Sequence, residues 1–193
     1  MMKLVKHTKF IYEYENFVSS EDCERIISLI QAADICPEWL FKKSKTRNNT
    51  AINLTKYSDS DNNIKEAENI IHQIFSTCNI FYVRDNIFAS FVVNKFMKID
   101  KLTTNYVYRS YDNNEYYDWH IDYDDVNHNL FSYILYLNDD FEGGNTFFLN
   151  DKLKIIPKQG SMLCFPCDFY SIHKSSKIYK GNKKIIWSCV YKE

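Results

Sequence analysis

Glycine and proline are scarce in this chain, with four and three residues among 193. Tyrosine (15) and phenylalanine (14) far outnumber them, a balance that suits strands and leaves few flexible segments. Net charge is also nearly missing. A formal value of -1 gives no global attraction to nucleic acid or to an anionic membrane, so neither is expected as a partner. No apolar run approaches the length of a membrane span, and Met1 to His7 lacks the apolar core of a signal peptide. The expectation is a soluble, cytoplasmic protein. A disulfide framework is absent too: the cysteines at 23, 36, 78, 164, 167 and 189 follow no regular spacing and read as reduced, buried small hydrophobes. Cys164 and Cys167 form a lone CxxC, with no second pair to complete a zinc site and no helix start of the thioredoxin kind.

What is present is enough for a core. Apolar residues make up 45% of the chain, and its length fits one domain spanning 1–193. Residues 1–99 read as helical support with a flap region, and 100–193 as a strand-rich half. Phe10 to Tyr14 alternates like a strand. Ser19 and Asp22 resemble a capping box ahead of Cys23, Ile26, Ile27, Ile30 and Ala33 at helical spacing, which predicts a helix over about 20–34. Pro37 ends it, and Trp39-Leu40-Phe41 starts a short strand. From 42 to 63 the chain is polar, with Lys42, Lys43, Lys45 and Arg47 close together; it reads as a solvated loop or, alternatively, a flap over a substrate. A second helix has Ile64, Ala67, Ile71, Ile74, Phe75 and Cys78 on one face, with Asn63 and Glu66 in capping positions. Residues 86–99 fit either state, and the spacing of Phe88, Phe91, Val92 and Ile99 favours a helix.

After Asp100 come short runs rich in Tyr, Val, Ile and Phe, near 103–111, 116–121, 130–137, 145–149, 153–156, 161–165, 169–174 and 184–191. Eight such runs at this spacing predict a sandwich or jelly roll, hence an α+β fold with amino-terminal helices packed against it.

The chemistry gathers at His120-Ile121-Asp122. A histidine on a strand and a carboxylate at the adjacent turn can aim at one point, and His173 on a neighbouring strand supplies a second imidazole. Two imidazoles and one carboxylate on one face of a metal leave three positions open, the arrangement of non-haem Fe(II) oxygenases; the same donors also admit Zn(II) or Mn(II). HxD alone is a weak word. His128, in the acidic stretch after Asp122, is a competing ligand for a loop-borne site, and His72 reads as a surface or satisfied core histidine.

The surrounding words narrow this. In order they are Tyr111, His120-Ile121-Asp122, Tyr136-Leu137-Asn138, Gly143-Gly144, Pro157-Lys158-Gln159-Gly160, Phe165-Pro166, His173 and Gly181-Asn182-Lys183, preceded by Asn16-Phe17-Val18-Ser19. Over most of 100–191 the chain resembles the prolyl 4-hydroxylase-like branch of the Fe(II)/2-oxoglutarate-dependent dioxygenases. The resemblance implies a double-stranded β-helix (jelly-roll) core. It implies Fe(II) held by His120, Asp122 and His173, 2-oxoglutarate as cosubstrate, O2, and ascorbate as an auxiliary reductant. Lys183 would pair with the distal carboxylate of 2-oxoglutarate, and Tyr111 and Tyr136 would hydrogen-bond the cosubstrate, although either tyrosine also reads as core.

Two departures stand out. Trp187 lies four residues after Lys183, where the family has a small polar residue; a register using Lys184 would put Ser188 there instead. Lys177 replaces a proline commonly found four residues after the distal histidine. The implied reaction couples decarboxylation of 2-oxoglutarate to succinate with hydroxylation of a substrate carbon. The wording suggests a prolyl residue in a peptide or protein. A free amino acid or other small molecule is the first rival, and a non-catalytic metal-binding jelly roll the second. Nucleobase demethylation is disfavoured, because no arginine follows Arg109.

Overall fold

The computed structural model describes residues 1–36, 40, 44–96, 102–123, 128–150 and 152–192. Its elements in chain order are β1 (Lys3–Lys6), β2 (Tyr12–Glu15), α1 (Ser20–Ala32), β3 (Arg47–Asn48), β4 (Thr50–Asn53), α2 (Leu54–Tyr57), α3 (Asn62–Asp85), α4 (Ile87–Phe96), β5 (Leu102–Tyr111), β6 (Tyr116–His120), β7 (Asn129–Tyr136), β8 (Glu142–Gly143), β9 (Thr146–Phe148), β10 (Leu153–Ile155), β11 (Met162–Pro166), β12 (His173–Ser175), β13 (Ile178–Lys180) and β14 (Lys183–Lys192). The four α-helices among the described residues share the amino-terminal half with β1 to β4, and β5 to β14 follow, an α+β arrangement. None of the described helices is long and apolar enough to cross a membrane.

The helices start where side chains cap them. Ser19 Oγ accepts from the Asp22 amide at 3.0 Å and opens α1, whose Cys23, Ile26 and Ile30 are buried. The second long helix begins one turn-start earlier than the Asn63 cap expected from sequence. Asp61 Oδ1 accepts from the amides of Asn63 (2.7 Å) and Ile64 (3.0 Å), so a carboxylate rather than an amide sits at the positive helix end. Asn86 resolves the ambiguous 86–99 stretch. Its amide donates to Tyr82 O (2.9 Å) to close α3, and its Oδ1 accepts from Phe88 (3.0 Å) and Ala89 (3.2 Å) to open α4.

Seven strands make one sheet in the order β1-β2-β11-β7-β14-β5-β4, and five make another in the order β10-β9-β12-β6-β3, with β13-β8 as a small ribbon. Successive side chains of a strand point to opposite faces, and the large sheet uses both. Tyr106, Tyr133, Leu135, Cys164 and Ile186 pack with the helices in one core. Their sequence neighbours Ile134, Leu163, Phe165 and Ile185 pack instead with Phe148 and Ile155 of the second sheet.

Three sequence expectations change. The polar 42–63 stretch, read as a loop or flap, holds β3, β4 and α2 over its described part. Both strands are short sheet edges, two and four residues long, and Ala51 and Ile52, on opposite faces of β4, are both buried. The 169–174 run is a 3-10 turn over Phe169–Ser171 before β12, because Asp168 Oδ1 accepts from the Tyr170 amide at 2.9 Å and bends the chain. Strands β1, β8 and β13 were too short to show as apolar runs. The strand start at Trp39-Leu40-Phe41 and the Pro37 stop lie largely outside the described residues.

Candidate metal centre

His120 and His173 are direct cross-strand partners in the β6–β12 pairing, which sets their rings side by side with centroids 4.2 Å apart. Asp122 follows two residues after His120, just past the end of β6. One donor atom from each of His120, Asp122 and His173 lies within 4.8 Å of the others. Nε2 of His120 is 3.4 Å from Asp122 Oδ1, and Nε2 of His173 is 3.7 Å from Oδ2.

The backbone fixes which nitrogen faces the centre. Nδ1 of His120 donates to Asp118 O (2.7 Å) and Nδ1 of His173 to Ser171 O (2.9 Å), so each Nε2 presents a lone pair inward. Burial pushes the His173 imidazole down to about 4, with Asp122 pulling the other way, and that keeps it in the neutral, ligating form. For Asp122 burial favours the protonated acid, yet His173, His120 and the Ser132 hydroxyl together hold its carboxyl well below the usual carboxylate range. Two cis donors about 2.1 Å from one ion lie about 3 Å apart, and the three donor atoms here are grouped on that scale. The donor set suits Fe(II): two neutral imidazoles and one carboxylate, with no thiolate.

Asp122 is held from behind. Ser132 Oγ donates to its Oδ2 at 2.5 Å and Trp187 Nε1 to the same oxygen at 3.1 Å, while Trp187 Nε1 also lies 2.8 Å from Ser132 Oγ. The sequence showed Trp187 only as a departure. In the structure its indole spans the width that a small residue would leave open and reaches the carboxylate. Tyr117 was not singled out either; its ring stacks on His120 with centroids 3.7 Å apart and 10° between planes.

A cavity adjoins the three donors, lined by Tyr111, Thr146, Ser175, Lys183, Ile185, Trp187, Arg109 and Tyr117 among others. Lys183 is 1% exposed. Its Nζ donates to Gly144 O (2.6 Å) and Ser175 Oγ (2.9 Å), and burial pushes its ammonium down to about 7. No carboxylate pairs with it among the described residues. Gly144 makes room for it: its φ is +61°, and a Cβ there would come within 3.0 Å of the Lys183 side chain and 2.5 Å of Ile178. Lys184, the alternative register, is the next residue along β14 and so lies on its other face; its backbone amide donates to Asn138 Oδ1 at 2.7 Å.

Tyr111 is on the cavity wall, buried, with its phenol pushed up to about 12. Tyr136 is not. Its hydroxyl is 2.9 Å from Thr146 Oγ1, and Thr146 rather than Tyr136 faces the cavity. The competing histidines lie elsewhere: His128 Nδ1 is 3.3 Å from the Tyr123 hydroxyl, and His72 Nδ1 is 2.9 Å from the Tyr106 hydroxyl. Cys164 and Cys167 are both buried and in no disulfide, and the Cys164 thiol is in hydrogen-bond contact with that of Cys78 at 3.5 Å.

Comparison with known proteins follows this geometry. Residues 106–191 match the model of the 2OG-Fe(II) oxygenase superfamily. No curated protein matches the sequence significantly. Among solved structures, the viral collagen prolyl hydroxylase of Paramecium Bursaria Chlorella virus-1, in its 2OG complex, is similar with a TM-score of 0.65 at 22% identity, over 95% of this chain and 97% of that one. A Trichoplax adhaerens prolyl hydroxylase in complex with a hypoxia inducible factor peptide fragment gives 0.67 at 16%, covering 96% and 84%. A Pseudomonas putida prolyl-4-hydroxylase gives 0.63 at 14%, covering 95% and 92%. These likenesses establish a shared fold. The matched superfamily is described by 2-oxoglutarate and Fe(II), and His120, Asp122 and His173 form a cluster that could hold a metal ion.

Proposed function

From a 2OG-Fe(II) oxygenase match across the whole cavity-bearing half, we propose that this chain hydroxylates a carbon of a prolyl residue in a peptide or protein. The two antiparallel sheets are read as the halves of a double-stranded β-helix with the cavity between them. Within it His120, Asp122 and His173 hold Fe(II), and Lys183 holds the distal carboxylate of 2-oxoglutarate.

The observation that carries this reading is the pairing of a three-donor cluster with a buried, unneutralised ammonium. Removing a lone ammonium from water costs several kcal/mol unless an anion joins it. Lys183 has only a carbonyl and a hydroxyl for company. A dicarboxylate whose other end reaches the metal is the ligand that uses both features. Fe(II) with bound 2-oxoglutarate supplies the O2 chemistry, giving succinate and CO2 as the substrate gains a hydroxyl.

The chain does the rest. Asp118 and Ser171 carbonyls fix the two imidazoles in the ligating tautomer. Ser132 and Trp187 occupy one oxygen of Asp122 and aim the other. The anion returns the Lys183 ammonium to its charged form. Tyr111 offers a phenol to a carboxylate on the wall, and Tyr136 acts through Thr146 by fixing its hydroxyl. The prolyl substrate rests on likeness: a relative is a collagen prolyl hydroxylase and another was solved with a peptide bound.

The test is iron-dependent succinate formation from 2-oxoglutarate against a panel of proline-containing peptides, scored by a mass gain of one oxygen. Coupled succinate and oxygen insertion is expected. Metal binding with no succinate under any condition would leave a non-catalytic metal protein instead. Oxygen insertion only into free amino acids would move the substrate to small molecules.

A further inference from the structure

Arg109 is the one cavity-lining group that the reading above leaves without work. It sits on β5 opposite Ile185 of β14 and Ala51 of β4, so both flanks of its backbone are paired and its side chain projects to the cavity face. It is 7% exposed. Its Cζ lies 5.2 Å from the Tyr117 ring centre and 5.4 Å from that of Trp187. Aromatic faces hold a guanidinium by its own face and leave the N–H edge free. Its Nη1 is fully buried and has no hydrogen-bond partner, and no carboxylate pairs with it among the described residues. The two rings that hold it are tied to the metal donors, Tyr117 by stacking on His120 and Trp187 by its bond to Asp122.

The charge balance says what is missing. Asp122 is the only carboxylate on the cavity wall among the described residues. When the site is loaded, Fe(II) and Lys183 together balance Asp122 and the 2-oxoglutarate dianion. The guanidinium of Arg109 is left over. A buried, donor-rich cation with an unfilled edge is stable only with an anion against it.

We propose that Arg109 is a second carboxylate anchor in this site, and that it binds the molecule to be oxidised. The preferred substrate carries a carboxylate on, or immediately beside, the residue that is hydroxylated: an acidic side chain next to the proline, a chain-terminal proline, or a free amino acid. This rests on the oxygenase reading and narrows its substrate class.

The test uses acid and amide pairs on protein loaded with Mn(II) and 2-oxoglutarate, by calorimetry. The probes are proline peptides followed by Asp or Asn, peptides followed by Glu or Gln, peptides ending in prolyl carboxylate or amide, and L-proline against L-prolinamide. In at least one pair the acid should bind roughly tenfold tighter or more, as expected for a charge-assisted contact. Arg109→Gln should bring that ratio to near one while leaving the Kd of 2-oxoglutarate nearly unchanged, and Arg109→Lys should restore only part of the preference. The native arm stands even if the variants fold poorly. Absence of any acid preference in the native protein would overturn the proposal, as would a preference that survives Arg109→Gln. A large rise in the Kd of 2-oxoglutarate in that variant would also overturn it, by making Arg109 a cosubstrate anchor. Native protein that binds neither Mn(II) nor 2-oxoglutarate would instead bring down the oxygenase reading itself.

Discussion

The two faces of the large sheet are built from alternate residues of the same strands, and they behave as opposites. On β5, β7 and β14 the helix side carries Tyr106, Tyr133 and Ile186, all buried in the larger core. The cavity side carries Arg109, Ser132, Lys183 and Trp187. Backbone pairing is identical for both sets, since each strand is hydrogen-bonded on both edges. Only the side chains differ. One face stabilises the fold, at about 1.5–3 kcal/mol for each fully buried apolar side chain. The other costs stability, because it keeps two cations dry without counter-ions. A sheet tolerates such a face when its reverse is well packed, and that reserve is what allows a binding site to be preorganised.

The sharpest way to break the contrast is on the cavity side. Asp122→Ala or His120→Ala should abolish iron retention and succinate formation while the melting temperature stays close to native, because neither side chain is part of the helix-side core. Turnover preserved in either variant would refute the metal assignment. On the opposite face Ile186→Ala, one residue from Trp187, should cost about 2–5 kcal/mol in denaturant unfolding and leave the Kd of 2-oxoglutarate in the surviving folded protein unchanged. A shift in that Kd comparable to the loss of stability would mean the two faces are coupled rather than separate.

Lys183→Met tests both halves of the comparison at once. Losing the charge-assisted contacts should weaken 2-oxoglutarate binding by roughly ten- to a hundredfold. The unliganded protein should nevertheless become more stable, by about 1 kcal/mol or more, since a dry cation is replaced by an apolar chain of similar length. A destabilised Lys183→Met would show that Gly144 O and Ser175 Oγ already satisfy the ammonium.

The same lysine gives a pH dependence. Burial sets its folded, unliganded value near 7, against about 10.4 in an unfolded chain. Between those limits the unfolded chain holds the proton and the folded one does not, so stability of the unliganded protein rises with pH across the window and is flat below it. A dicarboxylate needs the protonated form. Its Kd should therefore be level below about pH 7 and rise by about tenfold per pH unit above it. Calorimetry in buffers of different ionisation heat would show one proton taken up on binding near pH 8, and no uptake in Lys183→Met.

Much of this contrast could be read before any coordinates. The stripe of Cys23, Ile26 and Ile30 and that of Ile64, Ala67, Ile71 and Phe75 announce helix faces because burial repeats at helical spacing. The cluster of His120, Asp122 and His173 was legible as residue types and order, and the Gly181-Asn182-Lys183 wording favoured Lys183 over Lys184. What stayed hidden depends on the far partner. Tyr136 reads as a cosubstrate ligand from its motif alone, and only the fold shows its hydroxyl 2.9 Å from Thr146 Oγ1. The edge strands at 47–53 are two and four residues long, too short for an alternation to show. Arg109 carries no motif at all; that no carboxylate among the described residues pairs with it is seen only in three dimensions.

Trp187 offers the finest test, because it is where a departure from the family pattern turned out to be a contact. Its indole N–H reaches Asp122 Oδ2 at 3.1 Å and Ser132 Oγ at 2.8 Å, while its ring flanks Arg109. Trp187→Phe keeps a ring over the guanidinium and deletes the donor. Partners behind a metal ligand typically tune affinity by about 10–100-fold, and Ser132 remains to hold Asp122, so the low end applies: about tenfold weaker Fe(II) binding with the Kd of 2-oxoglutarate on saturating metal little changed. Ser132→Ala should reproduce the loss, and the double variant should exceed the sum of the singles, since each donor backs up the other on the same oxygen. Strict additivity would place the two donors on independent footings and reduce Trp187 to a wall of the cavity.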